Sequence, residues 1–115
     1  MRNSSLVFAA ALAAFGGFAL PAVAAEPSIT ITSPTEGQKL DAMAQTRVTY
    51  EVVPGPNGDH VHLYVDGKEV AILRQLTGTH TLETMSTGAH DICIKVVNKA
   101  HTPVGVVKCV KVAVE

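Results

Sequence analysis

The residues of this chain best suited to chemistry are imidazoles. Five histidines occur in 115 residues. Two of them, His60 and His62, stand one residue apart in the run Gly58-Asp59-His60-Val61-His62-Leu63-Tyr64-Val65. In an extended strand alternate side chains leave the same face, so both rings can reach one ion. Imidazole suits Cu(II), Zn(II) and Ni(II), and a third nitrogen from a neighbouring loop completes a usable site. His101 is the expected third ligand, which makes the candidate metal set His60, His62 and His101, with copper favoured over zinc. Asp59 can act as an oxygen ligand or as a partner that orients an imidazole. The plainer alternative is that His-x-His is common on exposed strands and that these rings are structural.

Other chemistries find no footing. No serine stands in a Gly-x-Ser-x-Gly elbow, and the carboxylates are scattered over turns and strand edges. Gly55 and Gly58 lie in a proline-containing loop with no helix signal after it, which is not a phosphate loop. The expectation is a protein that is not an enzyme. Cys93 and Cys109 are the only cysteines, sixteen residues apart and without Cys-x-x-Cys spacing. In an oxidising compartment they read as a disulfide, with a metal-binding or redox dithiol as the alternative.

The start of the chain argues for such a compartment. Arg2 precedes an uncharged apolar stretch from Leu6 to Leu20, and Pro21-Ala22-Val23-Ala24 supplies small residues for cleavage. Residues 1–24 are expected to be a signal peptide, and 25–115 a single domain, periplasmic or secreted and with no membrane span. Without the signal, eight basic residues face ten acids, and Tyr50 and Tyr64 are the only aromatics. That balance gives no footprint for nucleic acid.

About ninety residues must therefore position the imidazoles, and they alternate like strands. Ser28 to Thr32 alternates, Arg47 to Val53 places Val48, Tyr50 and Val52 on one face, and residues 38–46 are ambiguous. Asp66-Gly67 joins His60–Val65 to Lys68–Leu73 as a hairpin turn. Its expected register sets Val65 opposite Lys68, Leu63 opposite Val70 and Val61 opposite Ile72, with His60, His62 and Tyr64 on the other face. A strand around His80 follows a Thr77-Gly78 turn, and residues 89–98 and 104–114 close the domain as a hairpin. If that hairpin turns near His101, Cys93 faces Cys109 and Asp91 faces Lys111.

Seven short strands with hairpin-like links resemble an immunoglobulin-like or fibronectin-III-like sandwich, an all-β fold. Gly88-Ala89-His90-Asp91-Ile92 is similar to the corner before the sixth strand of that family, with His90 in the usual tyrosine position and expected to bond backbone. In such a sandwich the loops before the third, fifth and seventh strands share one end. That brings His60, His62, His101 and, from the other sheet, His80 towards one another, and leaves His90 at the opposite end. Lys95 is expected across from His62, where its charge would oppose a cation.

Gly58-Asp59-His60-Val61-His62 also resembles the copper-binding segment of copper–zinc superoxide dismutases. That resemblance implies copper ligation by His60 and His62 and nothing about dismutation. The set His60-Val61-His62-Leu63, Asp66-Gly67, Gly88-Ala89-His90 and His101-Thr102-Pro103 is similar to small uncharacterised periplasmic proteins, which implies location and fold. Two readings follow: a metal-binding protein, or an interaction module that recognises an envelope protein through its loops or its edge strands at 28–33 and 104–114.

Overall fold

The structure is a computed structural model, and it describes residues 26–115. The expected signal peptide at 1–24 lies outside the described residues. Eight strands follow in order: β1 (Ser28–Ser33), β2 (Lys39–Leu40), β3 (Thr46–Val53), β4 (His60–Val65), β5 (Lys68–Leu73), β6 (Thr77–Leu82), β7 (Gly88–Val97) and β8 (Pro103–Val114). They form a three-stranded sheet, β1-β3-β6, and a five-stranded sheet, β2-β8-β7-β4-β5.

The alternation seen in the sequence decides which face each strand buries. Val48, Tyr50 and Val52 of β3 meet Val61 and Leu63 of β4, Ile92, Ile94 and Val96 of β7, and Val110 and Val112 of β8 in one core. Burying aliphatic side chains of this size contributes about 1.5–3 kcal/mol each. The domain has few aromatics, so β-branched packing between the sheets supplies most of that burial.

Seven of the eight strands correspond to the expected seven. The eighth, β2, lies in the ambiguous segment 38–46. It is a two-residue parallel pairing of Lys39 with Ala113 and Leu40 with Val114. A pair this short has no alternation to read. It also changes one edge: the end of β8 is covered by β2, so residues 104–114 are not a free edge along their whole length, whereas β1 is one.

Two local expectations are corrected. Thr77 and Gly78 are not a turn; they open β6 and pair with Glu51 and Tyr50 of β3. The β4–β5 register holds only near its turn. Val65 pairs with Lys68 and Tyr64 with Glu69, but Leu63 then pairs with Ala71, His62 with Ile72 and Val61 with Leu73. Val70 is the extra residue of a β-bulge, which shifts the remainder of β5 by one position. The bulge sends Leu73 into the core and leaves Val70 and Ile72 at 45% and 47% exposure. Ile72 thereby comes to lie beside His62 on the outer face.

The closing hairpin has the expected register. Cys93 pairs with Cys109 and Asp91 with Lys111, and the two cysteines form a disulfide. At the far corner the His90 ring bonds the Ser86 carbonyl (2.7 Å) through Nε2 and the Asp66 carboxylate through Nδ1. Both ring nitrogens thus face acceptors, which favours the imidazolium, and the His90 pKa is raised chiefly by the hydrogen bond to Asp66. Asp66 is itself held below the usual carboxylate range, first by the amide of Asp91 and then by His90. Asp66 and Gly67 have φ of 54° and 82°, the paired left-handed conformation that an Asp-Gly hairpin turn requires.

Candidate metal centre

The end of the sandwich opposite His90 is built by β4, the loop before it and the loop between β7 and β8. The approach to β4 depends on a glycine. A Cβ on Gly58 would lie 2.4 Å from the Pro54 carbonyl oxygen and 2.5 Å from Cγ1 of Val96. Only hydrogen fits there, so the chain can press against β7 and enter the strand at His60. The Asp59 amide donates to the Val97 carbonyl (2.8 Å), and His60 pairs with Val97.

His60 and His62 both lie on the outer face of β4, as alternation requires, yet they are 1% and 3% exposed. Buried polar groups need partners. On their Nδ1 side both rings have one: Nδ1 of His60 is 2.9 Å from Oδ2 of Asp59, and Nδ1 of His62 is 3.0 Å from Oε1 of Glu69. A carboxylate at Nδ1 holds the proton there and leaves Nε2 as a lone pair.

The two Nε2 atoms point at each other, 3.2 Å apart. Nδ1 of His101 completes a triangle at 3.2 Å from His60 and 3.0 Å from His62. In the neutral tautomers favoured by Asp59 and Glu69, neither Nε2 can donate to the other. Two lone pairs then face one another beside a third nitrogen, an arrangement that a shared cation stabilises. At metal–nitrogen bonds near 2 Å these separations subtend about 100° at an ion, close to tetrahedral.

Burial favours the neutral form of His62. Burial is the main cause of the lowered His62 pKa, opposed by Glu69 and reinforced by the neighbouring histidines. Asp59 is held below the usual carboxylate range, first by the hydrogen bond from His60, with Lys99 and Arg74 adding their charge. Lys95 does pair with His62 across the β4–β7 ladder, but its Nζ sits 4.5 Å from the centroid of the Tyr64 ring. The ammonium is engaged one step further along the strand, and the expected repulsion is eased.

Among the described residues, His60, His62 and His101 are the group of three whose ligand atoms converge. His80 does not join them. It is the fourth residue of β6 and pairs with Val48, lining a cleft of about 430 Å³ with Val65, Val70, Leu82 and Met85 instead. Asp59 supports His60 rather than taking a place in the triangle. Glu69 was missed by the sequence reading, although a signal was there: the hairpin register sets it opposite Tyr64, next along the outer face from His62.

No family model matches this chain, and no curated protein matches it. Among solved structures it is similar to fibronectin(III)-like modules of Clostridium thermocellum CbhA, with 17% identity over 78% of this chain and 47% of that one, at a TM-score of 0.64. It is also similar to the extracellular domain of a B. thetaiotaomicron protein described as a one component system (14% identity, 76% and 15% coverage, TM-score 0.50). A lytic polysaccharide monooxygenase of Jonesia denitrificans matches at 22% identity over 71% of this chain and 60% of that one, with a TM-score of 0.47. The chain spans less than two thirds of the length of each. The likeness to the fibronectin(III)-like modules shows the fold, a fibronectin-III-like sandwich. No helix among the described residues is long and apolar enough to cross a membrane.

Proposed function

We propose that this is an exported protein that binds a transition-metal ion through Nε2 of His60, Nε2 of His62 and Nδ1 of His101. The observation that carries the reading is the triangle of three ring nitrogens, 3.0–3.2 Å on each side, with the opposite nitrogens of His60 and His62 fixed by Asp59 and Glu69. Three imidazoles suit both copper and zinc, and Cu(II) stands above Zn(II) in the order of divalent affinities, so copper is the favoured ion. The likeness of Gly58–His62 to a copper-binding segment supports the same choice.

The role is buffering or delivery of the ion rather than turnover, in the periplasm or outside the cell. The apolar N-terminal stretch with its small-residue cleavage site supports export, with a mature chain beginning near Ala25. The Cys93–Cys109 disulfide suits an oxidising compartment.

The test is titration of untagged mature protein with Cu(II) and Zn(II) beside a His60→Ala/His62→Ala variant. One tight site in the wild type, absent from the variant, is expected. Equal binding by the two proteins overturns the assignment.

A second reading, an interaction module without metal, is favoured by one observation. β5 is an edge strand that exposes Val70 and Ile72. A strand of an envelope protein could add to that edge. Recovery of a specific partner by pull-down, lost on Val70→Lys substitution, would support it.

A further inference from the structure

Building on the metal-binding reading, we propose that Asn98 is the positioning residue for the third ligand. It folds the β7–β8 loop so that His101 faces His60 and His62 before any ion arrives.

The loop is held almost wholly by this one residue. The His101 amide donates to the Asn98 carbonyl (2.9 Å), and the Asn98 amide donates to the Thr102 carbonyl (2.9 Å). The Asn98 side-chain oxygen accepts from the amides of both Ala100 (2.9 Å) and Thr102 (3.0 Å). An asparagine or aspartate oxygen that bonds backbone amides two residues on is a standard way to fix a turn. Here the same oxygen also reaches the amide four residues on and closes the loop around His101.

The second observation is the conformation of His101 itself. Its φ is 65°, in the left-handed region that glycine occupies freely and other residues rarely adopt. Such conformations persist where surrounding structure over-determines them, and they gather at functional sites. Glycine would relieve the backbone but bring no imidazole. The bonds from Asn98 hold a histidine in the backbone position of a glycine, and from there Nδ1 reaches the other two nitrogens. The ordering cost of the third ligand is then met when the protein folds rather than when metal binds.

The experiment compares wild type, Asn98→Ala, Asn98→Asp, His101→Ala and the Asn98→Ala/His101→Ala pair by Cu(II) titration and by the spectrum of the bound ion. Asn98→Ala is expected to weaken Cu(II) binding by about tenfold, within the usual range for residues that orient ligands, and to move the spectrum towards that of His101→Ala. Asn98→Asp retains the acceptor oxygen and is expected to bind as wild type does. In the His101→Ala background, Asn98→Ala is expected to add nothing. Hydrogen exchange of the metal-free protein checks the loop directly: the Ala100 and Thr102 amides exchange slowly in wild type and fast in Asn98→Ala. The inference is overturned if Asn98→Ala binds as wild type does, if its loss persists without His101, or if Asn98→Asp fails to rescue. Wild type that binds neither Cu(II) nor Zn(II) overturns the metal-binding reading, and this role with it.

Discussion

Glu69 reaches His62 diagonally. Its Oε1 atom lies 3.0 Å from Nδ1 of His62, while its backbone pairs with Tyr64, the next outer-face residue along β4. The residue whose backbone does pair with His62 is Ile72, brought there by the bulge at Val70. β5 therefore supplies a carboxylate to one side of the imidazole and an apolar neighbour to another.

Removing that carboxylate should loosen the ion without unfolding the domain. Glu69→Ala is expected to weaken Cu(II) or Zn(II) binding by about 10–100-fold, the usual cost of losing a partner that orients a metal-binding histidine. Glu69→Gln, which keeps an acceptor oxygen, should fall between. Competition against a chelator of known affinity measures both.

Metal should raise stability through the same three rings. Ligand at a hundred times its dissociation constant adds about 2.7 kcal/mol to unfolding. A rise in Tm is expected with Cu(II) for wild type and little or none for His60→Ala/His62→Ala. Thermal unfolding followed by circular dichroism reads it.

The opposite end of the sandwich should give the protein a stability maximum in pH. The folded-state pKa of His90 is raised above its ordinary 6.5, so its contribution is complete below that value and is lost as pH rises through the folded pKa. Asp66 is depressed below 3.8, so its contribution is present above that value and is lost as pH falls through the folded pKa. Both act together between pH 4 and 6.5. There His90→Ala is expected to cost about 1 kcal/mol, a modest figure because Asp66 is half exposed and screened by water. Urea unfolding of wild type and variant should differ most in that window and converge towards either extreme.

Breaking the disulfide should cost more. Cys93 and Cys109 close a loop across 16 residues, for which the chain-entropy account gives about 3 kcal/mol. The Cys93→Ala/Cys109→Ala variant is expected to unfold at correspondingly lower denaturant, and reductant should shift wild type in the same direction.

What the sequence made legible was set by alternation and by turn chemistry. His60 and His62 share a face because a strand alternates. His101 joins them because the loops of a sandwich gather at its ends. Cys93 meets Cys109 because one turn position fixes a whole antiparallel ladder. The misreadings share the opposite cause, since nothing local marks them. Asp66-Gly67 fixes the first two pairs of its hairpin, but no residue announces that Val70 will bulge. Thr77-Gly78 has turn composition and is drawn into β6 by pairing with β3. Lys39–Leu40 becomes a strand only because the end of β8 lies alongside, and a mid-strand position for His80 follows from that longer β6.

The histidine triangle also ties together parts of the chain that the disulfide leaves free. Cys93 and Cys109 lie within one hairpin, whereas His101 is 39 residues from His62 and 41 from His60. That interval contains β5, β6 and the whole of β7, with strands of both sheets. An ion on these three nitrogens would act as a clasp around the middle of the molecule. The hairpin could not peel away from β4 while the clasp held, so the lifetime of the metalled fold would follow the rate at which the ion leaves.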